Sequence, residues 1–426
     1  TSDCGNTTNT QASAIQGGDG YTYVNTPNGG GISLSGTQGN ASFVGGSQES
    51  SILELNYYQL ISNTGPIDIR SSKASTSTRW GVRFATRTGI ISYLGSLDSP
   101  YTTTYAAFPT VAKVSSTSDI TITADSLTTY YTSLNTNGDI SLLPNGNTFD
   151  YAMPMTVADW ASYWPGTYSS VTIGKAAAGA NSQTSTDITL GPIAATGPIS
   201  VHGGGVSLTG ALSASNGNID ISASTNFASN SSATITTSAA NKDVSIRGQK
   251  ITVGAAINAG SGKVLLAPVT AGTVINLGSA TDSASNTVEI SDAELDRTTA
   301  SAILIGEATS GTVTVSAAIS PANSSTLAIR TAGDVTSPLS HAITVANLGI
   351  DAGGSINLPG NQSSSVIALN ASSVTSFNQN ANYSVASVDG IVPEYGLGTK
   401  FVISNVDRTN TVDRFMAVTF NPPPAV

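Results

Sequence analysis

Residues Pro198 to Leu266 read PISVHGGGVSLTGALSASNGNIDISASTNFASNSSATITTSAANKDVSIRGQKITVGAAINAGSGKVLL. One short unit keeps returning in this stretch. A Pro, Asn, Asp or Lys is followed by an apolar-x-apolar triplet, its middle residue usually polar, and then by small or turn-forming residues: Ile199-Ser200-Val201, Ile219-Asp220-Ile221, Val244-Ser245-Ile246 and Val264-Leu265-Leu266. Period-two alternation over so few residues is the pattern of a strand with one buried face. Ile199 to Ile219 and Val244 to Val264 are 20 residues apart, and so are Ile120 and Ile140 upstream. Half-period echoes lie between them, at Val206-Ser207-Leu208, Ile251-Thr252-Val253 and Ile275-Asn276-Leu277. Further triplets follow at Val288, Val313 and Ile356, at drifting intervals.

A unit of two or three such strands cannot bury its apolar face alone, whereas coiling the chain so that each turn stacks on the last buries all of them together. The spacing therefore predicts an all-β fold, a right-handed parallel β-helix or β-solenoid. Val, Ile and Leu would form ladders inside it, and Ser, Thr, Asn and Asp would face water. Gly and Asn would supply positive φ at the corners. At 20–25 residues per coil, a rod on the order of 80–100 Å is expected for the whole chain. A β-sandwich array would need longer strands and hairpin turns, and triplets flanked by glycine fit it less well.

Composition agrees. Only 10% of the 426 residues are Asp, Glu, Lys or Arg, yet 39% are hydrophobic, enough Val, Ile and Leu to expect order rather than disorder. Helix is nearly excluded, with Ser291–Arg297 (SDAELDR) and Thr156–Tyr163 as the best short exceptions. Aspartates and glutamates beside ladder positions, such as Asp139, Asp220 and Glu289, are expected to point outward. Asp292, Glu294 and Asp296, close to Glu289, form the densest acidic cluster and read as a structural turn or a cation site.

Three regions are expected. Residues 1–168 hold all three tryptophans and most of the tyrosines, and read as solenoid with long loop insertions or as a cap. Residues 169–384 are the regular repeats. Residues 385–426 read as capping strands running into a Pro-rich linker. No signal peptide or membrane span is visible, so the chain is expected to be a mature or processed fragment. The formal net charge of −10 argues against nucleic-acid binding, which needs a basic surface.

Ile251–Ala318 resembles the repeat regions of filamentous haemagglutinin-like proteins, on its apolar-x-apolar triplets, Ser291-Asp292-Ala293-Glu294-Leu295, Ile303-Leu304-Ile305-Gly306 and Gly311-Thr312-Val313-Thr314-Val315. That family comprises giant exported bacterial β-helices. The resemblance implies an extracellular or cell-surface location and a structural, adhesive role, as a segment of a surface adhesin or a subunit of an extracellular filament. Asn25-Thr26-Pro27-Asn28-Gly29-Gly30 is only faintly similar to the Asn-Pro-Asn-Gly turn of the family's secretion domain.

The alternative is a carbohydrate-active enzyme on the same fold, a polysaccharide lyase or hydrolase. Such sites need converging carboxylates, and here the carboxylates are scattered. His202 and His341 are the only histidines, too few for a metal site. Gly203-Gly204-Gly205 lacks the residues of a phosphate loop. No catalytic residue, cofactor or metal is expected.

Binding residues are sought in the aromatic-rich first part. On a strand, Arg79, Arg83 and Arg87 would share one face, opposite Trp80, Val82 and Phe84. That face reads either as a solvated surface over an aromatic core or as a grip on acidic glycans or a neighbouring subunit. Tyr130, Tyr131, Trp160, Tyr163 and Trp164 read as loop rings that stack on sugars or pack in an interface, or as a local core. Cys4, the single cysteine, is either incidental or intermolecular. The expected partners are further copies of the chain in fibres, and glycans or proteins of a host or neighbouring cell.

Overall fold

The computed structural model describes residues 66–70, 118–124, 136–149, 168–177 and 183–393 apart from 339 and 381, together with the backbone of short strands elsewhere. The chain winds as a right-handed parallel β-helix. Each regular coil lays down one strand on each of three faces. Ile199–Gly203, Val206–Leu208 and Leu212–Ala214 make one coil, and Ile219–Ala223, Asn226–Ser229 and Ile235–Thr237 make the next. All strand-to-strand pairings among the described residues are parallel, and the one antiparallel bridge joins Val388 and Ile391.

The 20-residue recurrences are register partners. Ile120 pairs with Ile140, Ile199 with Ile219 and Val244 with Val264. On the first face one ladder runs through Ile67, Ile120, Ile140, Val171, Ile199, Ile219, Val244, Val264, Ile303, Leu327, Leu348 and Ile367. Every one of these side chains is buried. The second face stacks Ile188, Val206, Phe227 and Ile251, and the third stacks Ile193, Leu212, Ile235 and Ile257. The three ladders meet in a single apolar core. Each Val or Ile withdrawn from water contributes about 1.5–3 kcal/mol, so the stacking itself carries the fold.

One expectation needs correcting, while coil length varies as the drifting intervals imply. Ile67 pairs with Ile120 across an insertion, and Val264 pairs with Ile303 across another. The ladder from Ile67 to Ile367 rises roughly 50 Å at about 4.8 Å per coil, and the strands Ile32–Gln38 and Ser2–Cys4 stack two more levels before it. The triplets at Val288, Val313 and Ile356 do not continue the ladder of Val264. They lie on the second face, because both faces demand the same apolar-x-apolar pattern.

The corners are more specific than turn propensity implies. Asp119 Oδ1 accepts the Asp139 N–H at 3.0 Å, Asn218 Oδ1 accepts that of Asp243 at 3.0 Å, and Asp243 Oδ1 accepts that of Lys263 at 2.8 Å. Asp187 and Asp334 do the same for Gly205 and Ser355. The Asn or Asp before a triplet thus fastens its own coil to the one above.

Chain order inverts once. Val274–Leu277 pairs on one side with Thr287–Ile290, which follows it in sequence, and on the other with Val313–Val315. Thr287–Ile290 in turn lies against Lys250–Val253. The second face so carries one strand more than the first, where Lys263–Pro268 pairs directly with Ala302–Ile305. Gly278 at φ 111° and Asn286 at φ 51° bracket the return loop, both in the left-handed region that such a reversal needs.

Among the described residues the one α-helix is Asp292–Asp296, within the expected SDAELDR segment. Ser291 caps it, and Ser291 and Glu294 complete a reciprocal capping box. The expected Thr156–Tyr163 turn lies outside the described residues. At the far end, the 16-residue strand Asn347–Gln362 and the 14-residue strand Val366–Gln379 run through both the first and second faces. Ser384–Val385 and Ile403–Asn405 add to the latter.

Candidate functional surface

Of the residues expected to bind, Arg79, Arg87, Tyr130, Tyr131, Trp160, Tyr163 and Trp164 lie outside the described residues, as do the side chains of Arg83 and Cys4. The backbone places Arg83 on the strand Trp80–Ala85, in register with Glu54 on one side and Thr128 on the other. Cys4 ends the strand Ser2–Cys4, in register with Gln38.

Three polar constellations occur where side chains are described. The first is a ridge at the end of the first face. Arg247 reaches Asp220 one coil below at 3.2 Å and Glu307 at 2.7 Å. Its own register partner is Ala267, whose methyl lets the guanidinium pass over to Glu307. Burial alone would depress the Arg247 pKa, but the Glu307 hydrogen bond and the charges of Glu307 and Asp220 raise it, so the group stays charged. Beside it His202 pairs in register with Ser222. Ser222 Oγ donates to Gln183 Oε1 at 2.7 Å, and Gln183 Nε2 donates to the Gly203 and Ser222 carbonyls. His202 Nδ1 is buried without a hydrogen-bond partner among the described residues. Burial lowers the His202 pKa, and the Asp220 charge only partly offsets it. A hydroxyl committed to an amide and an imidazole with no hydrogen bond to it do not make a nucleophile and its base. Asp220 and Glu307 flank a guanidinium rather than a groove, and so lack the two-carboxylate arrangement that opens a glycosidic bond.

The second constellation is the acidic cluster around the inverted strands. Glu289, expected to point outward, is instead buried at 4% exposure, because the return loop folds over it. It accepts from Ser279 Oγ at 2.6 Å and from the Ala284 N–H at 2.8 Å. Burial alone would raise its pKa, but the bonds from Ser279, Ala284, Ser283 and Thr281 outweigh that and hold it below the usual glutamate value. Glu294 accepts the Val253 N–H at 2.9 Å and the Ser291 N–H at 2.8 Å. Asp292 and Asp296 accept the N–H groups of Ser320 and Ala322 at 2.6 and 2.9 Å. All four carboxylates serve as acceptors for the chain itself, which is the structural-turn reading. No three acidic, His or Cys side chains converge as a metal site among the described residues.

The third is Asp389, whose side chain is 5% exposed. Its carboxylate meets Lys263 Nζ at 2.6 Å, and its carbonyl takes an Arg330 N–H at 2.7 Å. Sequence offers little signal for these long-range pairs. Arg247 and Glu307 are 60 residues apart and Arg330 and Asp389 are 59 apart, and variable insertions erase any fixed offset. No protein-family model matches this chain, and no curated protein or solved structure matches it.

Proposed function

We propose that this chain is an extracellular structural and adhesive protein, a segment of a bacterial surface adhesin or a subunit of an extracellular filament. The observation that supports this best is how its scarce charge is spent. Most of the described ion pairs, and carboxylates such as Glu294 and Asp243, join coil to coil, and many outer positions of the regular coils carry small hydroxyl or amide side chains. A scaffold so joined supplies reach and a repetitive surface. Specificity then falls to its insertions, and Arg79, Arg83, Arg87, Tyr130, Tyr131, Trp160, Tyr163 and Trp164 are the residues assigned to ligand contact, with glycans or proteins of another cell as ligand. Cys4 is assigned to contact between subunits.

The test is a glycan-array and whole-cell binding assay on three proteins: the full chain, a variant lacking 75–168, and a full-length variant with Arg79, Arg83, Arg87, Trp160 and Trp164 changed to alanine. Binding by the full chain and its loss in both variants is the expected result. Unchanged binding in the variants overturns the residue assignment, and no binding by the full chain overturns the adhesive role. Electron microscopy at high concentration tests filament formation, which uniformly isolated rods would exclude.

A further inference from the structure

The outer positions of the first face change character along the rod. Thr172, Ser200, Asp220 and Ser245 give way to Leu265, Leu304, Ala328, Gly349 and Ala368 in the same register column. Outward leucine and alanine on successive coils leave an apolar strip that water would otherwise cover. In this structure Val388 and Ile391 lie on it, packed with Ala328, Ala368, Leu304 and Val366 in a second small core outside the main one. Gly349 completes the seat, since a Cβ there would stand 3.0 Å from Ile391 Cδ1 and 3.2 Å from Val388 Cβ.

The segment that makes this contact is a hairpin tip. Val388 and Ile391 exchange both backbone hydrogen bonds, at 3.1 and 2.9 Å. Between them Asp389 and Gly390 stand at φ 48° and 76°, where Asp-Gly is the favoured pair for a two-residue turn. The tip points back down the rod from Ser384–Val385, which is the next strand of the first face. Asp389 anchors it to Arg330, and to Lys263 on a strand four levels below Val366–Gln379. The hairpin so touches five successive strands of one face: Lys263–Pro268, Ala302–Ile305, Thr326–Thr331, Asn347–Gln362 and Val366–Gln379.

In a solenoid each coil contacts only its neighbours, so the end coil opens first and opening spreads inward step by step. We propose that the Val388–Ile391 hairpin is a clasp that removes this stepwise route and makes the coils from Lys263 to Gln379 open as one unit. A coil under the clasp cannot leave without stripping the apolar contact from the strip and the ion pair from Lys263. The clasp thereby protects these coils against stepwise fraying.

Hydrogen exchange read by mass spectrometry on the full chain tests this, with Val388→Ser/Ile391→Ser as the first variant. Exchange in 302–305, 326–331, 347–352 and 366–369 should accelerate together, by ~10-fold or more, while 199–203 and 219–223 stay at wild-type rates. Acceleration confined to 384–393 overturns the proposal, and so does equal acceleration in 199–223, which would mean general destabilisation. Lys263→Met lies at the other end of the clasp and leaves the hairpin intact. It should speed the same strands by about 3-fold, and wild-type rates throughout would overturn the reach of the clasp to that strand.

Discussion

Glu294 offers a direct measure of how a side chain can stand in for a strand. Its carboxylate takes the Val253 N–H at 2.9 Å, and the Ser291 N–H and hydroxyl at 2.8 Å each, while only 8% exposed. Glu294→Ala deletes both oxygens. A buried amide left without an acceptor costs about 1–3 kcal/mol, and the broken capping box adds about 1 kcal/mol. Relief of the buried charge returns part of this, so the net is about 2 kcal/mol. At 1.4 kcal/mol per decade that is roughly a 30-fold faster opening. Hydrogen exchange over 250–258 is the assay, with 199–208 as internal reference. Glu294→Gln keeps one acceptor oxygen and should fall between, at about 10-fold. If the alanine variant exchanges over 250–258 within about 3-fold of wild type, the carboxylate is not holding that corner and the reasoning fails.

Gly278→Ala places a Cβ at φ 111° and 2.5 Å from the Ala317 nitrogen, so it should destabilise by at least about 1–3 kcal/mol, read as a lower thermal midpoint; an unchanged midpoint would remove the need for the reversal seen there. Glu289 has a folded pKa below its ordinary 4.5, so its contribution is fully present above that value and is lost as pH falls through the folded one. The gap in melting temperature between wild type and Glu289→Gln should be constant from pH 8 to about pH 5 and close in stronger acid. His202 behaves with the same sign for a different reason. Its folded pKa lies below 6.5 because burial favours the neutral ring. Stability should thus be full above 6.5 and decline as pH falls from there, and His202→Gln should melt at nearly the same temperature at pH 7.5 and pH 5.5.

The ladder was readable because inward residues must be apolar and outward ones need not be, and because coils without insertions keep a fixed length. Ile120 with Ile140, Ile199 with Ile219 and Val244 with Val264 are that rule in its plain form. Which face a triplet belongs to was not readable. Val288 and Val264 carry the same local pattern, and only the stacking decides that one faces Ile275 and the other Ile303. Glu289 misled for a related reason: alternation does set it on the outer side of its strand, but the return loop then covers it. The Asp-Gly pair at 389–390 is a turn signal, yet what the turn rests on depends on the outer residues of five coils spread over a hundred positions. The binding residues expected in the first third are read from sequence alone.

These observations share one physical cause. A coil held only by backbone ladders and apolar stacking is uniform along its length, so nothing in it fixes register where insertions of different size interrupt the winding. One residue of slip would turn every buried Val and Ile outward. Directional contacts between defined partners remove that freedom, and several of the described charges lie beside irregular windings. Asp119 binds Asp139 next to the long insertion after Ile69. Glu289, Glu294, Asp292 and Asp296 surround the inverted strands. Arg247 and Glu307 bridge the 39-residue coil between Val264 and Ile303 from either side. The coils between Ile199 and Val244 use the same device, with Asp187, Asn218 and Asp220 each bonded to a neighbouring coil. Described carboxylates thus serve as register devices between coils, at regular and irregular windings alike.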